Sequence, residues 1–461
     1  MTVSSDYSYD VVVVGGGTAG SAAACFLARS GLKTALVEER TFDSAGARWV
    51  DGIPSWMFTR AGLAPPEPPE LLEVGGAVTV RNMCTEARVK LDPNPLLNVD
   101  MRLLVERLQR LAREAGVDLF ERLAVKEVRC DDSGRPVAII ARGRENTSAT
   151  FRARLFVDAS GLAQVLLRRV PLLGEHCPPP TAGDICSAAQ LVCKVACAEG
   201  AREFLAQAGI GPSGAVSWLG VESGYSTVGV HVTEDLDRVG LLAGIESAGR
   251  VESGQAMLDQ FLADNDWIGE REFGGQGQIP LRAAYARLAA PGIALVGNSG
   301  CQVFPAHASG AGAGLIAARF LAESVAGRHD PGDEIGTWNY QRRYHAESGA
   351  VNAAYDMIRR MSQGLSRESI GLALESGFMS VGAIRSVLEQ KMPELMLSEV
   401  LGVVRGFARQ PRLGLAMFSW AALMPLVYIA YRSYPRHPDL HALRRWSHLV
   451  ARLSRTVPDL P

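Results

Sequence analysis

DVVVVGGGTAGSAAACFLARSGLKTALVEE, residues 10–39, carries the patterns of a strand, a tight turn, a helix and a second strand in succession. Val11–Val14 is an unbroken apolar run, as expected for a strand buried on both faces. Gly15, Gly17 and Gly20 follow as G-x-G-x-x-G. Gly15 permits the turn, Gly17 lets a pyrophosphate approach the backbone, and Gly20 lets helix and strand pack closely. Thr18 and Ala19 open a helix over residues 18–29 whose positive N-terminus faces that phosphate. Gly31 ends the helix, residues 34–37 form the next strand, and Glu38 closes it, eighteen residues after Gly20. A carboxylate there accepts the hydroxyls of an adenosine ribose. With the βαβ context complete, the stretch reads as a dinucleotide site.

The rest of the chain bounds what surrounds that site. Its 461 residues suggest two or three domains, and 47% hydrophobic against 21% charged residues excludes a mainly disordered chain. A net charge of −2 gives no nucleic-acid footprint. The charge is uneven: residues 401–461 hold nine Arg and two acids, a net of +7, which leaves −9 for residues 1–400. The eight cysteines contain no C-x-x-C pair, so reduced thiols in a cytoplasmic setting are expected. Only Cys193 and Cys197 approach metal-ligand spacing, and alternation along a strand explains them better, so no metal is expected. Residues 1–9 are short and polar, without the apolar core of a signal peptide.

Two later segments separate FAD from NAD. FVDASG at 156–161 ends an apolar strand with Asp158. GIALVGNSGCQVFPAHASGAGAGLIAARFLAES at 292–324 is another strand, loop and helix. Together with the first motif, these segments resemble the flavoprotein superfamily of p-hydroxybenzoate hydroxylase, geranylgeranyl reductase and flavin-dependent tryptophan halogenase. The resemblance implies an α/β protein: a Rossmann-like FAD-binding domain of the glutathione-reductase type at 1–170 and 281–330, an inserted antiparallel-sheet substrate domain at 171–280, and a helical C-terminal extension at 331–461. It implies that Asp158 helps bind the dinucleotide. Asn298 stands where relatives carry the Asp that holds the ribityl chain. Asn keeps an acceptor oxygen and loses the charge. Ser309, Gly310 and Ala311 open a helix whose N-terminus faces the flavin pyrimidine end. Arg48, ten residues after Glu38, and Arg102, near the start of an amphipathic helix at 99–116, are the cofactor-contacting arginines the resemblance implies.

Between the cofactor segments, residues 184–197, 215–220, 225–232 and 239–245 read as strands, with turns at 211–214 and 222–225. In the extension, residues 413–431 are nineteen without a charge, interrupted by Pro425 and flanked by Arg409, Arg412, Arg432 and Arg436. A buried or pocket-lining helix pair is the leading expectation, with a monotopic membrane contact and a true span as alternatives. The arginines beyond, including Arg444, Arg445, Arg452 and Arg455, are either a solvated face or a dock for an acidic carrier or peptide.

The chemistry is less defined than the cofactor. The W-x-W-x-I-P signature of the halogenases is absent: Ile279 and Pro280 are present, but Trp267 stands alone before them. The P-C-G-G-like turn of the geranylgeranyl reductases is replaced by ARWVDGIPSWMF at 47–58. Trp49 and Trp56 there suggest a bulky aromatic or apolar substrate, free or carrier-tethered, and Asp51 is a candidate base. Monooxygenation therefore leads, isoprenoid reduction is the alternative, and halogenation is disfavoured. His307, two residues after Pro305, is the candidate proton relay. No second dinucleotide fingerprint exists, so NAD(P)H visits transiently or reduced flavin supplies the electrons. The expected location is cytoplasmic, with a peripheral membrane contact left open.

Overall fold

The computed structural model describes residues 4–144, 147–248, 253–393, 404–406 and 408–455. The apolar run Val11–Val14 sits at the centre of a six-stranded sheet. Thr34–Val37 and Asp118–Phe120 extend the sheet on one side; Leu155–Asp158 and Ile293–Leu295 extend it on the other, all parallel. Ala289–Ala290 adds a short antiparallel edge. Parallel strands covered on both faces need continuous apolar runs, and VVVV, TALV and LFVD are buried at every position.

One face of this sheet is covered by helices. Thr18–Arg29 buries Ala22, Ala23 and Ala24, small enough for Met101–Glu114 and Ala311–Val325 to pack on it from either side. The other covering is a four-stranded sheet of Ser4–Ser8, Ser148–Arg152, Pro136–Arg142 and Ala124–Cys130. Tyr7, Phe120 and Phe151 join the two, with ring centroids 4.9 to 5.2 Å apart.

The substrate layer is a seven-stranded sheet. Four of its strands, Ile185–Val195, Ala215–Leu219, Ser226–Val232 and Arg238–Glu246, lie within two residues of the expected bounds at each end. Ile268–Pro280 pairs along the outer side of Ile185–Val195. The remaining two, Val78–Arg81 and Arg88–Leu91, come from the first 170 residues, and Val78–Arg81 pairs in parallel with Ala215–Leu219. The substrate layer is thus assembled from two segments of chain rather than from residues 171–280 alone, because a parallel pair requires a long crossover.

The extension is helical, as expected, with one difference. Pro411–Arg432 is a single helix that runs through Pro425, not a broken pair. A proline removes one intrahelical hydrogen bond and ordinarily kinks or ends a helix. Here Trp420, Met424, Val427 and Tyr431 are held in a cluster with Trp338, Tyr355, Met357 and Trp446 on both sides of the proline. Among the described residues no group of three or more His, Cys, Asp or Glu could hold a metal.

Candidate active site

The C-terminal ends of the central strands, the inner face of the seven-stranded sheet and the helical extension enclose one continuous cavity of about 2270 Å³. Its first part is the glycine turn. Gly15 has φ +107°, and a Cβ there would stand 2.4 Å from the carbonyl oxygen of Ala159. Gly20 does not line the cavity: a Cβ on it would lie 1.8 Å from the Gly15 carbonyl oxygen, so its absence lets the helix start press against the turn. Gly17, Thr18 and Ala19 line the cavity at that helix start, where four N–H groups lack intrahelical partners. This cradle fits an anionic pyrophosphate.

Glu38 is buried at the cavity edge. Its Oε2 accepts the Gly16 N–H at 2.7 Å and its Oε1 accepts the Arg40 N–H at 2.9 Å, which fixes the carboxylate across the mouth of the turn. Each oxygen keeps a lone pair for a ribose hydroxyl. Two residues that the sequence did not single out complete the cradle. Gly46 comes so close to Gly17 that a Cβ on Gly17 would be 3.3 Å from its Cα. The buried Gln109 amide donates to the carbonyls of Gly16 and Phe42, both at 3.1 Å, tying the turn to the next loop. Gly46 sits in an irregular segment and Gln109 on a helix face, so neither belongs to a local pattern.

Arg48 and Arg102 both line the cavity. Arg48 is exposed and donates to the Asp43 carbonyl. Arg102 pairs with Asp100 at 2.6 Å and lies 3.6 Å over the ring of Phe273, with its pKa raised by the Asp100 hydrogen bond. The expected contact of Asp158 with the dinucleotide is corrected. Its buried carboxylate accepts the N–H groups of Ser160, Leu166 and Leu167 (3.1, 2.8 and 2.8 Å) and the Ser160 hydroxyl (2.6 Å), and it lies behind the cavity wall. Asp158 therefore shapes the 159–167 loop, whose Ala159, Ser160 and Gly161 do line the cavity.

At the far end of the cradle, Asn298, Ser309, Gly310 and Ala311 converge. A Cβ on Gly310 would stand 2.9 Å from Asn298 Oδ1, which places that oxygen at the N-terminus of Ala311–Val325. The Ser309 hydroxyl lies 3.4 Å from each Asp51 oxygen. Burial pushes the Asp51 carboxyl up to about 6, opposed only by hydrogen bonds from Ser309 and the Gly52 N–H. Trp49 also lines the cavity and lies flat on the glycine-rich strand Ile268–Pro280, since Cβ atoms on Gly275 and Gly277 would be 3.5 and 3.3 Å from its ring. His307 lines the cavity with a buried Nε2 that has no partner, and burial lowers its pKa to about 4, so the ring stays neutral near pH 7. Trp56 is corrected as a substrate contact. It does not line the cavity; its Nε1 donates to the Glu389 carbonyl at 2.9 Å and tethers the extension to the cofactor domain.

Beyond Asp51 the cavity becomes apolar. Leu219, Tyr225 and Ile279 come from the sheet; Ile358, Met361, Leu365, Val387 and Met417 come from the extension. Arg359, the buried cation of this wall, is held by Asp356 at 2.5 Å. Burial favours the neutral Asp356, but Arg359 and Arg360 together hold its carboxyl below the usual range.

A family model described as FAD dependent oxidoreductase matches residues 10–168. Digeranylgeranylglycerophospholipid reductase of Sulfolobus acidocaldarius is 24% identical over 454 residues, covering 96% of this chain and 97% of its own length. Digeranylgeranylglycerophospholipid reductase 2 of Methanopyrus kandleri is 26% identical over 411 residues, covering 84% and 98%. The crystal structure of a geranylgeranyl bacteriochlorophyll reductase-like protein from Thermoplasma acidophilum shares the fold, with a TM-score of 0.70 at 16% identity over 90% of this chain and 100% of that one. The glycine cradle, the Glu38 carboxylate and these matches agree on an FAD-dependent oxidoreductase, with reduced nicotinamide or reduced flavin as its electron source, and the chain is similar to the flavoprotein superfamily of p-hydroxybenzoate hydroxylase, geranylgeranyl reductase and flavin-dependent tryptophan halogenase.

Proposed function

We propose that the protein saturates carbon–carbon double bonds of a lipid bearing isoprenoid chains. The observation that carries this reading is the continuation of the dinucleotide cradle into an apolar chamber walled by the helical extension. A pocket for one small ligand occupies about 300–1,000 Å³. The cavity of about 2270 Å³ exceeds that range and suits a dinucleotide together with a long apolar molecule. The two full-length reductase relatives support the same choice over the monooxygenation that leads from sequence alone.

FAD held by the glycine cradle and Glu38 would, when reduced, supply a hydride equivalent to one carbon of the double bond, and the second carbon would need a proton. We assign that proton to Asp51. Its carboxyl lines the cavity beside the N-terminus of Ala311–Val325, is kept protonated into the mildly acidic range by burial, and has the Ser309 hydroxyl to orient it. The neutral His307 cannot serve as a charged acid near pH 7 and contributes a hydrogen-bonding wall. Trp49, braced on its glycine-rich strand, gives a rigid apolar surface against which a chain lies. The test is anaerobic turnover of the reduced holoprotein with a detergent-dispersed geranylgeranyl phospholipid, followed by mass spectrometry. Addition of two hydrogens per double bond is expected. Oxygen-dependent insertion of an oxygen atom, with no anaerobic saturation, would return the reaction to monooxygenation.

A further inference from the structure

The helix Pro411–Arg432 is apolar around its whole circumference, yet it is buried on one side only. Between Arg412 and Arg432 it has no charged side chain. Its inner side carries Trp420, Met424, Val427 and Tyr431 into the extension's core, and Met417 reaches the cavity. Its outer side presents Leu415, Ala422, Leu426 and Ile429, spaced by seven, four and three residues along one stripe, with Leu415 63%, Leu426 50% and Ile429 62% exposed. Pro425 is exposed on the same stripe. A helix that is apolar all round belongs in a core or in lipid. Contiguous exposed apolar stripes on soluble proteins mark interaction surfaces.

The surroundings of the stripe select its partner. Arg405, Arg409 and Arg412 precede it, Arg432 and Arg436 follow it, and Arg445 lies on the adjoining helix Leu440–Arg455, where Arg444 is already paired with Glu175 at 3.0 Å. In sequence, residues 401–461 contain nine Arg and two acids, although the rest of the chain is net negative. A cationic frame around an apolar stripe complements anionic headgroups above acyl chains. A true span is disfavoured by the helix's own inner side, which is already packed against protein along its length.

We propose that this face seats on an anionic lipid bilayer, with Pro411–Arg432 lying in the membrane plane and its outer stripe in the headgroup–acyl boundary. Resting on the reductase reading, the placement has a consequence for substrate delivery: Met417 belongs both to this helix and to the cavity wall, so the docked helix is itself part of the chamber that would receive a membrane lipid.

The experiment is co-sedimentation of the full-length holoprotein with vesicles of phosphatidylcholine alone and of phosphatidylcholine with phosphatidylglycerol. Partition into the anionic vesicles is expected, weaker in high salt and weaker into the neutral ones. The double variant Leu426→Glu/Ile429→Glu should lose at least tenfold in partition, while its FAD content and its turnover of detergent-dispersed substrate stay unchanged. Because both positions are exposed, folding should survive, and far-UV circular dichroism checks this. Arg432→Gln/Arg436→Gln should reduce the preference for anionic over neutral vesicles. Val137→Glu, on the four-stranded sheet, should leave partition unaltered. No partition into either vesicle, equal partition by the Leu426/Ile429 variant, or a stable dimer that buries the stripe and ignores vesicles would each overturn the proposal. Vesicle binding with no saturation of detergent-dispersed substrate would instead remove the reductase reading and leave the docking face standing.

Discussion

Asp51 gives a measurable link between the candidate chemistry and folding energetics. In the folded protein its carboxyl is pushed up from an ordinary 3.8 to about 6, chiefly by burial. In the unfolded chain it releases its proton near the ordinary value. Between those values the folded state binds more protons than the unfolded state, so stability falls as pH rises. The favourable contribution is fully present below the ordinary carboxylate pKa and lost as pH passes about 6. At 1.36 kcal/mol per tenfold change in proton affinity, the full loss is about 3 kcal/mol. Asparagine fills the same space without ionising. Asp51→Asn should therefore be more stable than wild type by about 1 kcal/mol at pH 4.5 and about 3 kcal/mol at pH 7.5. Urea unfolding of both holoproteins at the two pH values, followed by far-UV circular dichroism, measures that difference, and taking the pair cancels every other titrating group. A difference that does not grow with pH, or a variant less stable at pH 7.5, would refute the buried-acid account. In turnover the sign reverses: wild type should slow as pH rises through about 6, and Asp51→Asn should be slow at every pH.

Three further outcomes follow from the geometry. Gly20→Ala would force its Cβ to within 1.8 Å of the Gly15 carbonyl oxygen, so the turn must open; the purified protein should lose flavin absorbance while keeping its circular dichroism. Asn298→Asp puts a carboxylate at the N-terminus of Ala311–Val325, where a charge-assisted hydrogen bond gains about 1 kcal/mol over a neutral one; FAD titration should show a Kd up to about fivefold lower. Asp356→Ala leaves Arg359 buried with Asp184 at 3.7 Å as its remaining carboxylate and the Gly183 carbonyl and Gln363 Oε1 as acceptors, which should cost about 1–3 kcal/mol in denaturant unfolding. Because the folded Asp356 carboxyl lies below its ordinary value, the wild-type advantage should be present above the ordinary carboxylate range and fade as pH falls through that lower folded value.

How far the sequence could be read depended on whether each feature is local. Residues 10–39 form their own strand, turn and helix, and every glycine role there follows from contacts within a few residues or with the adjacent strand, so the cradle was legible in the residues themselves. The four strands between 185 and 246 were legible for the same reason: alternation is written along each one. The pairing of Val78–Arg81 with Ala215–Leu219 was not, because nothing in either segment names a partner more than a hundred residues away. Direction was equally hidden. Asp158 and Trp56 have the residue types of a binding site, yet one points into its own loop and the other toward Glu389.

Pro411–Arg432 shows the limit most clearly, since two local rules conflict within it. The nineteen uncharged residues favour one long helix, and Pro425 favours a break. Trp420 and Met424 before the proline, and Val427 and Tyr431 after it, pack into one cluster, and that tertiary contact decides for continuity. The same cluster uses only one side of the helix's apolar surface. The sequence records that residues 413–431 are apolar, but not which side the protein itself buries. Only the packed structure separates the side that walls the cavity from the side left facing outward, and the outward side is the one proposed to meet the bilayer.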